Sequence, residues 1–199
     1  YAAHALQQHG ALPPRPPAVD PAVTTAMEVL EASARYAESQ TDVRSRDAAV
    51  DAALGACARA LSRGEVPLVA PAAQAAARVA QLASGAPNTL PRLAQLVDQL
   101  VGWALDVSME RRDARALTDN LARFGLNCWR SERVVAQTLV RNLDQDLSRL
   151  SASARDETQV IQVASVARCL SAVLRNLDRD ATHAQTCARF VEALLSART

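Results

Sequence analysis

Helix-start signals return along this chain about every 46 residues, near positions 20, 66, 112 and 157, the interval of HEAT- or armadillo-like helical pairs. Each interval has room for two helices and their turns. Asp20-Pro21 sets a capping carboxylate before a proline at the first helical position. Val23, Met27, Leu30 and Ala34 then recur at steps of three and four. Thr41-Asp42 opens the next helix, with Val50, Leu54, Cys57 and Leu61 on one face and Gly64 as its stop. A third helix is expected from Pro67 or Pro71 to Leu82. A fourth starts near Asn88-Thr89 and carries apolar residues on two sides, from Leu93 to Leu105. The spacing predicts a fifth over 112–128, a sixth from Ser131-Glu132, a seventh from Asp156-Glu157 and an eighth from Asp180 to Thr182. No stretch alternates with period two.

Composition agrees with helices. Nearly half of the 199 residues are apolar, chiefly alanine, leucine and valine, and only 3% are aromatic. Alanine and leucine lose little side-chain freedom in a helix, and small side chains let helices approach closely. The expected fold is all-α, with antiparallel helical hairpins stacked in a row. A compact multi-helix bundle is the alternative. Residues 10–17, GALPPRPP, cannot continue a helix, because proline lacks the donor and clashes with the preceding turn. Residues 1–19 therefore read as a proline-rich lead-in, or as a motif for a partner domain, and 20–199 as one helical-repeat domain. The first residue is Tyr1, which predicts a piece cut from a larger protein.

The chain has 22 basic and 21 acidic residues, a net charge of +1, and every basic residue is arginine. Such a balance supplies no net field toward nucleic acid or anionic lipid. No run is long enough to span a membrane, and no signal peptide is present. Without lysine, Schiff-base chemistry and phosphate-loop lysines are excluded. The motifs of phosphate loops, zincins and nucleophile elbows are absent too. Cys57, Cys128, Cys169 and Cys187 match no zinc spacing and lie in apolar stripes, so buried free thiols are expected. The residues thus predict no catalytic group, no metal, no cofactor and no small-molecule substrate.

Two candidate contact sites remain. Arg111, Arg112 and Arg115 make a basic start to the fifth helix, either a solvated surface or a contact for an anion or acidic partner. Trp129 beside Arg130 falls at an expected helix end, either capping the repeat or serving as a partly exposed hot spot. Trp103 shares a stripe with Leu96 and Leu100 and is expected in the core.

Leu126-Asn127-Cys128-Trp129-Arg130-Ser131 and Leu174-Arg175-Asn176-Leu177-Asp178-Arg179-Asp180 form similar blocks, followed by Ala136-Gln137-Thr138 and Ala184-Gln185-Thr186. With Ala184 to Phe190, this stretch resembles the SKWP-type (XopAD-like) type III effectors of plant-pathogenic bacteria, which are built of HEAT/armadillo-like repeats. The SKWP tetrad and its proline are absent here. The resemblance implies secretion by a type III system into a host cell and a non-catalytic scaffold that binds host proteins. The absence of lysine fits either a GC-rich genome or selection against ubiquitination in a host. An RNA-binding helical-repeat module, and an accessory helical domain of a larger enzyme, are the competing readings.

Overall fold

The computed structural model describes residues 20–83 and 89–178. The expected eighth helix, Cys187 and the lead-in at 1–19 lie outside them. Within the described residues the chain forms seven α-helices and no strand: α1 (Pro21–Ser39), α2 (Val43–Ser62), α3 (Val66–Ala80), α4 (Thr89–Ala104), α5 (Arg111–Ser131), α6 (Arg133–Ser153) and α7 (Glu157–Asp178).

Local chemistry sets most of the boundaries. The Asp20 carboxylate accepts from the Ala22 amide at 2.8 Å, and Asp42 accepts from Ser45 at 2.9 Å. Both satisfy first-turn donors that have no partner inside the helix. Gly64 takes the positive φ of 73° that ends α2, a backbone state costly for a side-chain-bearing residue. At α7, Asp156 accepts from the Gln159 amide while the Gln159 side chain accepts from the Arg155 amide. Pro71 lies inside α3, which begins one turn earlier at Val66.

The fifth helix departs from expectation. It does not end at Cys128 but runs on to Ser131, and the break before α6 is the single residue Glu132. The polar residues that read as a turn face a neighbouring helix instead. Asn120 and Asn127 donate to the carbonyls of Ala70 and Ala77 at 3.3 and 2.6 Å, and Ser131 donates to Ala80 at 2.7 Å. The alanine surface of α3 allows this approach.

The helices form two layers. In one, α1, α3, α5 and α7 lie side by side; in the other, α2, α4 and α6 do the same. Each helix packs on its sequence neighbours and on the helix two places along, although α4 touches α3 and α5 only lightly. Among the described residues, the first and last helices, α1 and α7, do not pack together, and the hairpins lie in a row. Odd helices start at 21, 66, 111 and 157, intervals of 45, 45 and 46. Side-chain amides tie the even layer as well: Gln99 of α4 donates to Ala58 and Ser62 of α2, and Asn142 of α6 to Asp98 of α4.

The core is continuous along the row and is made mostly of alanine, valine and leucine. On α4, the residues Leu93, Leu96, Val97, Leu100 and Val101 are all buried, which matches the expected two-sided cover. Trp103 is half-buried against the core. One expectation is corrected: Glu157–Leu177 is long and apolar enough to cross a membrane by length and composition alone, with mean hydropathy 1.3. In the array this helix packs on α5 and α6 and buries Val166, Cys169, Val173 and Leu177.

Candidate functional site

Arginines at residues 78, 123 and 168 recur at intervals of 45 on α3, α5 and α7. Their environments differ. Arg78 is clamped by α1: its Nη1 lies 2.7 Å from Glu31 Oε2, its Nη2 2.6 Å from Glu38 Oε2, and its Nε donates to Glu38 Oε1 at 2.9 Å. Two carboxylates seven residues apart, two turns along one helix, thus hold one planar guanidinium. The Arg78 guanidinium is the first cause that lowers the Glu38 pKa below its ordinary value. Glu31 is lowered first by Arg35 and then by Arg78.

Arg123 and Arg168 have no such clamp. Among the described residues, no carboxylate lies within ion-pair distance of either. One repeat on, positions 76 and 83 carry alanine where α1 carries Glu31 and Glu38. Both arginines are exposed and line the seam between α5 and α7. At one end of the seam, Arg111, Arg115 and Arg168 border a groove of about 570 Å³ floored by Ala114 and Thr118. Further along, Arg123 and Arg175 border a second hollow of about 440 Å³ with Asp119 and Asn176. Small residues at Ala114, Ala122 and Ala172 keep the furrow open, and the arginines stand along it. Five guanidiniums against one carboxylate make this the basic side of the odd layer, whereas α1 carries three glutamates and one arginine.

The residues expected from sequence separate into three places. Arg111 and Arg115 belong to the seam. Arg112 is exposed but points about 100° around the helix from Arg111 and does not line the groove. Arg130 is exposed at the far end of α5, roughly 28 Å from Arg111 at the helical rise. Trp129 is corrected: it is only 1% exposed and offers no surface to a partner. Because α5 continues past it, the indole sits in the core, with the Arg133 guanidinium 5.6 Å from its ring centroid. Arg123, Arg168 and Arg175 were not singled out in the sequence, although arginine recurring every 45 residues was a signal for the first two.

The cysteines are inert by position. Cys57, Cys128 and Cys169 are buried free thiols. Burial pushes the Cys57 thiol up to about 12 and raises Cys128 and Cys169 as well. No group of three or more His, Cys, Asp or Glu able to hold a metal occurs among the described residues. The described residues form an all-α, two-layer packing of helices with a basic furrow along one layer. No family model, curated protein or solved structure matches the chain.

Proposed function

We propose that the chain is a non-catalytic interaction scaffold whose α5–α7 seam binds an acidic segment of a partner protein. The observation that carries this reading is the arginine series. Arg78 is neutralised by two glutamates of a neighbouring helix, while its counterparts Arg123 and Arg168 stand exposed without carboxylates among the described residues. The Glu31–Arg78–Glu38 clamp is an internal template for the missing half. The resemblance to SKWP-type effectors supports a host protein as the partner and delivery by a type III system.

The same guanidiniums also accept phosphate, which returns RNA as the second reading. The seam residues include no aromatic on which a base could stack, and Asp119 lies among them, so an acidic protein segment is the better fit. The test is fluorescence anisotropy of a labelled helical peptide with glutamates seven residues apart, titrated with the full chain. Saturable binding that weakens with salt is expected. The double variant Arg123→Glu/Arg168→Glu should weaken it roughly tenfold or more without changing the circular dichroism. Binding indifferent to that reversal refutes the proposal. A labelled single-stranded RNA that binds more tightly than the peptide transfers the seam to the RNA reading.

A further inference from the structure

One end of the α5–α7 seam gathers more positive charge than a single carboxylate can answer. The groove of about 570 Å³ there draws Arg111 and Arg115 from α5 and Arg168 from α7. Arg111 and Arg115 are four residues apart and so share one face of their helix. All three arginines are exposed, and among the described residues none has a carboxylate within ion-pair distance. The other lining residues, Met109, Ala114 and Thr118, carry no charge. The Thr118 hydroxyl donates to the Ala114 carbonyl at 2.8 Å, so its hydrogen is already used and the side-chain donors left to a ligand are the guanidiniums. The first turn of α5 adds to the field. Glu110 at its N-cap makes no side-chain bond to the amides that follow, which leaves the positive end of the helix dipole uncapped beside Arg111. Glu110 and Asp113 are close in sequence but do not line the groove.

Charge selects the anion. A carboxylate brings one negative charge and two oxygens, which one guanidinium fork satisfies. A phosphorylated serine or threonine brings about two charges and three strongly accepting oxygens, enough for more than one arginine at once. The second hollow differs, because Arg123 and Arg175 share it with Asp119, which repels a dianion. The same carboxylate interrupts the basic track that a nucleic-acid backbone, with one charge on each phosphate, would follow.

We infer that the groove of Arg111, Arg115 and Arg168 takes a phosphorylated side chain of the partner segment, so that phosphorylation of the partner strengthens its capture. This rests on the reading of the seam as a site for an acidic protein segment and names the group that its end receives. The spacing suits such an occupant. Arg115 and Arg123 are eight residues apart on α5, roughly 12 Å at the helical rise, and two positions seven apart on a bound helix span roughly 10.5 Å. A phosphate at one position and a carboxylate at the other therefore reach the groove and the second hollow together.

The test titrates labelled helical peptides with the full chain and reads anisotropy. The reference peptide carries glutamates seven residues apart, and in two others a phosphoserine replaces the first or the second glutamate. At least one phosphopeptide should bind about tenfold or more tightly than the reference. Arg168→Gln should bring that ratio to within about threefold. Arg175→Gln should leave the ratio unchanged. Both positions are exposed, so neither variant should alter the circular dichroism. The inference is overturned if the reference binds and neither phosphopeptide gains, a result that leaves the seam reading in place. It is overturned equally if the gain survives Arg168→Gln, or if Arg175→Gln removes it as well, which marks general attraction along the seam. Absence of binding by all three peptides refutes the seam reading and the groove with it. Displacement of the phosphopeptide by inorganic phosphate or single-stranded RNA, at a lower concentration than the unlabelled phosphopeptide needs, assigns the groove to that other phosphate and also overturns the inference.

Discussion

Gly125 sits where α5 meets α6 and α7, and replacing it with alanine tests the stacking itself. A methyl group built there lies 3.0 Å from Val173 Cγ1 and 3.2 Å from Leu139 Cδ2. Both neighbours are completely buried, so neither can swing into solvent. On an exposed helix, glycine to alanine gains about 1 kcal/mol, because alanine loses less backbone freedom. Here the added methyl must displace packed atoms, at about 1–3 kcal/mol. We expect the second effect to win, with Gly125→Ala less stable by about 1 kcal/mol. Val173→Ala alone should cost about 2 kcal/mol through the cavity it leaves. In the double variant the new methyl occupies part of that space. The losses should therefore fall short of additivity by at least about 1 kcal/mol. Urea unfolding followed by far-UV circular dichroism, with midpoints compared at constant slope, measures all three. If Gly125→Ala gains the full 1 kcal/mol of propensity and adds simply to Val173→Ala, α5 and α7 do not interlock and the stacked seam is wrong.

Two further outcomes follow from the electrostatics. The lowered pKa values of Glu31 and Glu38 mean that the Arg78 clamp stabilises the fold above the ordinary carboxylate value of 4.5 and loses that effect as pH falls through the folded-state values. The stability gap between the native sequence and Arg78→Gln should be full at neutral pH and close in acid; a gap unchanged in acid removes the clamp from the account. Cys57, Cys128 and Cys169 should resist iodoacetamide at mildly alkaline pH and react once urea unfolds the chain, since burial raises each thiol. Mass spectrometry of labelled peptides reads this, and labelling of all three in the folded protein at the unfolded rate contradicts the buried core.

The sequence reads well wherever structure is set locally. Asp20, Asp42 and Asp156 cap helices within their own first turn, so α1, α2 and α7 begin within a residue or two of the expected positions. The repeat interval was visible for the same reason. The junction of α5 and α6 was not, because Asn127 and Ser131 resemble turn residues until the Ala77 and Ala80 carbonyls that receive them come into view. Trp129 was open to two readings for the related reason that its burial depends on helices distant in sequence. Two of the five seam arginines were legible, as Arg111 and Arg115 lie together on one helix. Arg168 and Arg175 come from another helix, some fifty residues on, and only packing brings them alongside.

The ladder of Asn120, Asn127 and Ser131 against α3 is one-sided. Every donor is a particular side chain of α5, while every acceptor is a main-chain carbonyl that any small residue would present. The specification of how these two helices mate therefore resides in α5 alone. Glycine or serine could replace Ala70 or Ala77 and keep these bonds, but leucine at Asn120 or Asn127 would erase a rung, leaving α3 the permissive member of the pair.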